Sequence, residues 1–201
     1  MGKMDCETCQ EHLREALRVE RPRRLLEAIQ QGLSTKGGYG RHRRDAAPAP
    51  AESATTKPKE GLRLECRVCP ATGPAGGARA YLEAPPPAIV LCANRLGSRR
   101  EVEEAALHEL VHAYDYLVAG LQLLDCQSLA YSEVRAARAA ECSEASRAFV
   151  CSFFRKKCVR STAVRSTEGL FPGKGVACVD AIFDKAYLDQ DPHGQSIDDG
   201  R

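Results

Sequence analysis

Two histidines and a glutamate in this sequence have the spacing of a hydrolytic metal site, because residues 108–112 read His-Glu-Leu-Val-His. Residues four apart on a helix lie one above the other, so His108 and His112 can direct their imidazole nitrogens at one point. Zinc suits that point, since it prefers such ligands in tetrahedral geometry and keeps one position for water in catalytic sites. Glu109 can then take a proton from the bound water, whose pKa zinc lowers to about 7. The pattern predicts zinc-dependent attack of water on a peptide carbonyl, and a pair of structural histidines is the alternative.

The residues around this pattern favour a helix over 99–117, which we call the metal helix. Leu107, Leu110 and Val111 give the segment an apolar side to bury. Three acidic residues stand in its first turn, where negative charge complements the helix dipole: Glu101, Glu103 and Glu104. Gly120 allows the helix to end, and the chain can then reverse.

A second predicted helix, over 128–154, supplies a third ligand. Glu133 follows His112 at a distance suited to an antiparallel return, and small residues after it, among them Ala136 and Ala140, let the two helices approach closely. We therefore predict that His108, His112 and Glu133 bind the metal. A surface glutamate paired with Arg135 or Arg138 is the alternative for Glu133.

Asp115 competes with Glu133 for the third position. It follows His112 by three residues and shares its helix face. It can bind zinc directly or orient a histidine from behind the metal, and we favour the second role.

Length and composition restrict the class of protein. The 201 residues allow one domain of ordinary size. The chain has 43% hydrophobic residues, 5% aromatic residues and no tryptophan. The formal net charge is +2, which favours neither a nucleic-acid binder nor a strongly acidic partner. No nucleic acid is expected as a partner. The sequence contains no run of 18 apolar residues, so no membrane span is predicted.

Ten cysteines are the most unusual feature of the composition. So many favour disulfides and an oxidising compartment. The first residues show no apolar region of a secretory signal, which leaves the mitochondrial intermembrane space as the compartment that fits. A four-thiolate zinc site is the alternative, since two Cys-x-x-Cys pairs occur: Cys6 with Cys9, and Cys66 with Cys69.

The chain divides by composition into four parts. We predict a helical, cysteine-containing arm over 1–31, a flexible linker or insertion rich in Gly, Ala and Pro over 32–61, a metalloprotease domain over 62–190 and a polar tail over 191–201. Strands are predicted over 62–66, 78–83 and 88–93. The last one precedes the metal helix and is either the sheet edge that pairs with an extended substrate or a plain core strand. The fold class is therefore α+β, a small sheet with helices.

Three segments together resemble the ATP-synthase assembly metalloprotease family of the mitochondrial intermembrane space. They are 91–94 (Leu-Cys-Ala-Asn), 108–115 (His-Glu-Leu-Val-His-Ala-Tyr-Asp) and 132–137 (Ser-Glu-Val-Arg-Ala-Ala). The resemblance covers Cys66 to about Pro192 and implies a zincin-like fold with a return helix.

The resemblance also implies a function: a zinc metalloendopeptidase, peripheral to the inner membrane, that matures the precursor of ATP synthase subunit 6 and assists assembly of the enzyme. Two alternatives remain open. One is a non-proteolytic assembly factor or chaperone with a structural zinc site, and the other is a Ku-linked DNA-repair binding protein, for which the composition lacks the expected basic excess.

Two positions depart from the family pattern. Tyr131 stands where the family usually has a cysteine before its Ser-Glu block, and a second family cysteine is missing from 187–192. We hypothesise that these two family cysteines pair, so that one disulfide is lost here as a unit.

Overall fold

The computed structural model describes residues 3–35, 61–72, 76–143 and 152–192. Six helices and three strands follow one another along this described part: α1 (Cys6–Ala16), α2 (Glu20–Thr35), β1 (Arg63–Arg67), β2 (Ala80–Glu83), β3 (Ala88–Cys92), α3 (Arg99–Leu117), α4 (Cys126–Ala139), α5 (Ser152–Leu170) and α6 (Gly175–Leu188). The sheet packs on α3, and α4 returns along α3. The predicted α+β class, with a small sheet, a His-Glu-x-x-His helix and a return helix, is confirmed.

The three strands form one sheet in the order β1-β3-β2, with β1 parallel and β2 antiparallel to β3. Of the two alternatives for the strand before α3, the core strand is right and the sheet edge is wrong, because β3 lies in the centre. All five of its residues are buried, as expected for a strand covered on both faces. The edge on the β1 side is covered by α1, whose Gln10 side chain accepts the backbone N–H of Cys66 at 3.1 Å. β2 forms the opposite edge.

The two N-terminal helices belong to the same core as the metal helix. Leu13, Leu25 and Ile29 are fully buried in a cluster that also contains the inner face of the sheet and α3. Gly32 lets α2 approach α3 closely, since a Cβ at this position would meet the Val118 side chain at 2.8 Å. The division into arm, linker, domain and tail stays a prediction, and 36–60 of the predicted linker and 193–201 of the predicted tail lie outside the described residues.

A second core is built by α4, α5 and α6. Val134, Val159 and Val179 are fully buried there, one from each helix. The prediction of a continuous helix over 128–154 is wrong, because α4 ends at Ala139 and a turn follows to Ser143. This turn directs Cys142 into the second core.

Four disulfides confirm the prediction from cysteine content: Cys9–Cys66, Cys69–Cys92, Cys126–Cys178 and Cys142–Cys158. The alternative of a four-thiolate zinc site is wrong, because three of its four sulfurs are already in disulfides. Cys6 is the free thiol of the described part, and Cys151 lies outside it.

The hypothesis of a disulfide lost as a unit stays a prediction, and the structure gives the position of the two regions it concerns. The Tyr131 hydroxyl donates a hydrogen bond to the Asp189 carboxylate, so the two regions that lack the family cysteines face each other. Burial and the bond to Asp189 raise the pKa of Tyr131 to about 12.

Among the described residues, no helix has the length and apolar character needed to cross a bilayer.

Candidate active site

The metal helix α3 is fixed at its start by side-chain caps. The Ser98 hydroxyl accepts the backbone N–H of Glu101 at 3.2 Å, and the Glu101 carboxylate accepts the N–H of Gly97 at 2.6 Å. Most of the helix is buried, since α1, α2, the sheet and α4 all pack against it. The side chains of its central turns therefore have fixed directions.

The structure brings His108, His112 and Glu133 together. One ligand atom from each lies within 4.8 Å of the others. The two Nε2 atoms are 3.0 Å apart, and the Glu133 carboxylate oxygens lie 3.4 Å from each of them. Glu133 is only 5% exposed, so it is not the surface residue of the alternative interpretation.

Asp115 lies outside this cluster of three ligand atoms. Its carboxylate accepts hydrogen bonds from the Ser132 hydroxyl, at 2.7 Å, and from the Arg135 guanidinium. The Ser132 oxygen in turn lies 2.7 Å from Nδ1 of His112. Burial raises the pKa of Asp115, and the charge of Arg135 opposes that rise. Asp115 therefore reaches His112 through one intervening serine.

Glu141, which the sequence analysis missed, contacts the other histidine. Its carboxylate lies 3.1 Å from Nδ1 of His108 and 3.7 Å from the guanidinium of Arg79, just before β2. A signal existed, since the helix predicted over 128–154 would place Glu141 about two turns after Glu133 and on the same face. The turn after Ala139 still leaves the Glu141 carboxylate within reach of α3.

The carboxylates dominate the electrostatics of the site. Burial lowers the pKa of His108, but the hydrogen bonds and charges of Glu133 and Glu141 outweigh it and hold that pKa well above its usual value. The pKa of His112 is raised by Glu133 in the same way, against the effect of burial. Burial alone would raise the pKa of Glu133, yet the two histidines bring it below its usual value. The cluster is built to hold positive charge.

Glu109 differs from the other carboxylates of the site. It is 8% exposed, and burial raises the pKa of its carboxyl, although the charges of His112 and His108 oppose the rise. A carboxylate whose pKa lies closer to neutrality is a better proton acceptor under physiological conditions. The structure thus has a cluster of two imidazoles and one carboxylate, and next to His108 in the sequence a buried carboxyl whose pKa is raised.

Comparisons with known proteins agree with this arrangement. A sequence model of the Peptidase M76 family matches residues 49–194. The chain is 28% identical to mitochondrial inner membrane protease ATP23 of Lodderomyces elongisporus, over 81% of this chain and 60% of that protein. It is 34% identical to the Homo sapiens ATP23 homolog, over 53% of this chain and 47% of that protein. The Eremothecium gossypii protein of the same name is 33% identical over 62% of this chain and 51% of its own length.

These relatives are longer than the matched region, so the chain spans about half to three fifths of their length. No solved structure matches the chain significantly. The family model covers well over half of the 201 residues, including the whole candidate site. The chain therefore belongs to the Peptidase M76 family.

Proposed function

We propose that this chain is a zinc-dependent metalloendopeptidase that acts at the mitochondrial inner membrane. The observation that carries the proposal is the convergence of two imidazole Nε2 atoms and one carboxylate in a largely buried cluster, with the buried Glu109 next to His108 in the sequence. The names of the relatives, mitochondrial inner membrane proteases, support the same activity and place.

The donor chemistry of the cluster fits a zinc ion. Nδ1 of His108 faces the Glu141 carboxylate, which can only accept, so the ring proton belongs on Nδ1 and the Nε2 lone pair points into the cluster. That lone pair lies 3.0 Å from Nε2 of His112, an unfavourable contact unless a cation or a proton separates the two atoms. Glu133 Oε2 is buried and has no hydrogen-bond partner among the described residues. Two imidazoles and one carboxylate are a ligand set found in catalytic zinc sites.

His108, His112 and Glu133 would hold the ion in this proposal. When bound, zinc would supply an activated water and polarise the substrate carbonyl. The Glu109 carboxylate would accept the proton of the attacking water and later deliver it to the leaving amine. Its burial suits this task, because the same burial that raises its pKa keeps bulk water from competing for the proton.

The β2 edge of the sheet, which pairs with no further strand among the described residues, offers a place for an extended substrate. The backbone N–H of Cys92 donates to the carbonyl of Arg79 at 2.8 Å, so alternation places the N–H and C=O groups of Ala80 and Leu82 on the side away from β3. Arg79 also contacts Glu141, which contacts His108, so this edge begins beside the metal cluster. We propose that the peptide pairs with β2.

The proposed compartment is the intermembrane space, which the four disulfides support because they require an oxidising environment. We propose a precursor of an inner-membrane protein as substrate, with the ATP synthase subunit 6 precursor as the first candidate. Assistance in assembly of that enzyme belongs to the same proposal.

Glu109→Gln tests the mechanism. The amide cannot accept the proton of the attacking water, so we expect cleavage of the subunit 6 precursor to fall by at least about 10²-fold. Bound zinc and the unfolding transition should stay unchanged. Glu103→Gln, nearer the start of the same helix, is the matched control. Cleavage by the Glu109→Gln protein at the wild-type rate would disprove the role of Glu109 as base.

A further inference from the structure

Three polar side chains form a buried row behind His112. The Arg135 guanidinium donates to one oxygen of Asp115, the Ser132 hydroxyl donates to the other at 2.7 Å, and the Ser132 oxygen lies 2.7 Å from Nδ1 of His112. Asp115 and Ser132 are fully buried, and Arg135 is 4% exposed. Each of these groups is therefore limited to the partners that the protein provides.

The number of protons in this row leaves one arrangement. Arg135 can only donate, and an ionised Asp115 can only accept. Ser132 has a single hydroxyl proton, which it gives to Asp115, so its oxygen must accept at its contact with His112. The ring proton of neutral His112 therefore lies on Nδ1, and the Nε2 lone pair is left for the cluster that contains Glu133.

We propose that Ser132 is a positioning residue that fixes the imidazole tautomer of His112, and that the Asp115–Arg135 pair sets the direction in which Ser132 donates. The inference rests on the proposed metal site, because the tautomer matters only if Nε2 of His112 is a ligand. It gives the two histidines different partners, since His108 meets the Glu141 carboxylate directly.

The far end of the row is held by the segment after α6. The carboxylate of Asp189 lies 3.7 Å from Nε of Arg135, and the guanidinium of Arg135 lies 5.8 Å from the centre of the Tyr131 ring. Arg138 donates to the backbone carbonyl of Tyr187 and, at 2.8 Å, to that of Asp189. These contacts keep the Arg135 guanidinium facing Asp115. The orientation of Arg135 in turn sets the direction of every hydrogen bond in the row.

Asp115→Asn would reverse the row without changing its shape. Arg135 requires an acceptor, so the amide oxygen of the new residue must face it and the NH₂ group must face Ser132. Ser132 then accepts from the amide and donates its proton to Nδ1 of His112. The ring proton moves to Nε2, where it occupies the position that the metal needs. In the Ser-His-Asp triad, replacement of the aspartate by asparagine likewise leaves the histidine in the wrong tautomer.

Three variants test the proposal: Ser132→Ala, Asp115→Asn and, as matched control, Ser161→Ala, which removes an exposed hydroxyl bonded to a helix carbonyl on α5. Zinc affinity is measured by competition with a chelator. Loss of an outer hydrogen-bond partner lowers metal affinity by about 10–100-fold. We expect at least that loss in Ser132→Ala and Asp115→Asn, and none in the control.

A second measurement reports the tautomer itself. Long-range ¹H–¹⁵N spectra of metal-free, ¹⁵N-labelled protein at alkaline pH show which ring nitrogen carries the proton. They are recorded in a His108→Ala background, which removes the second Nε2 atom, 3.0 Å from that of His112. We expect Nδ1–H for His112 with Asp115 and Ser132 in place and Nε2–H when Asp115→Asn is added. Circular dichroism and thermal unfolding establish that each variant is folded, and Ser132→Ala still tests the proposal if Asp115→Asn does not fold.

The outcomes separate this inference from the proposed function. Wild-type zinc affinity in folded Ser132→Ala, or Nε2–H for His112 in the His108→Ala protein with Asp115 and Ser132 intact, would overturn the role of Ser132 and leave the metal site standing. A wild-type protein that binds no zinc would overturn the metal site, while the spectra would still decide whether Ser132 fixes the tautomer.

Discussion

Replacement of Glu133 by glutamine is the most direct test of the ligand set. The change keeps the shape of the side chain and removes its negative charge. The carboxylate lies 3.4 Å from both imidazole Nε2 atoms and is buried, so no other carboxylate on α4 can take its place without movement of the helix. The variant should bind zinc more weakly and remain folded.

The size of the loss follows from the number of ligands. Zinc binding to protein sites releases roughly 10–16 kcal/mol. Shared among three protein ligands, the low end of this range gives about 3 kcal/mol for each, and 1.4 kcal/mol corresponds to a factor of ten in affinity. We therefore expect Glu133→Gln to lower zinc affinity by about 10²–10³-fold.

Competition with a chelator of known affinity measures this loss, and substitution with Co²⁺ reports whether tetrahedral coordination survives. Glu27→Gln is the matched control, because Glu27 lies on α2, is largely exposed and, in the described part of the chain, forms its ion pair with Arg23 of the same helix. A Glu133→Gln protein whose zinc affinity stays within threefold of the wild type would refute the assignment of Glu133 as third ligand.

Two further predictions concern the surroundings of the site and the disulfides. Glu141→Ala removes the acceptor of the His108 Nδ1 proton, so zinc affinity should fall by about 10–100-fold in the same competition assay; an unchanged affinity would contradict the orienting role of Glu141. Joint replacement of Cys9 and Cys66 by alanine opens a crosslink across 57 positions, and urea unfolding should show a free energy of unfolding lower by about 4 kcal/mol; an unchanged midpoint would contradict it.

The metal helix could be predicted because local signals agree there. The apolar side of α3, the acidic first turn and the histidine spacing all lie within one element, and none depends on another part of the fold. Glu133 could be predicted with one further assumption, that α4 runs antiparallel to α3. Glu141 was missed because its position depends on where α4 ends, and neither Gly nor Pro marks that end in the sequence.

The sheet and the disulfides depend on distant contacts, which periodicity does not encode. The apolar run of β3 is compatible with an edge strand or a central one until β1 and β2 are placed. Cysteine spacing misled in a similar way, since Cys9 pairs with Cys66 and Cys69 pairs with Cys92. Pairing requires Cα atoms about 6 Å apart in space, whatever their spacing in sequence.

The candidate site lies at the interface, called the joint below, between two halves of the described chain. One half is the core of α1, α2, the sheet and α3, and the other is the core of α4, α5 and α6. Each of the four disulfides in the described ranges lies within one half, so none of them joins the halves covalently.

The joint is the contact of α3 with α4, where small residues of α4 such as Ala136 pack beside the polar row from His112 to Arg135. Under the proposed function, a zinc ion held by His108 and His112 of one half and Glu133 of the other would link the two. Metal at a hundredfold excess over its Kd adds about 2.7 kcal/mol to stability. Because this linkage acts between the halves and the disulfides act within them, chelation and reduction should weaken different parts of the fold.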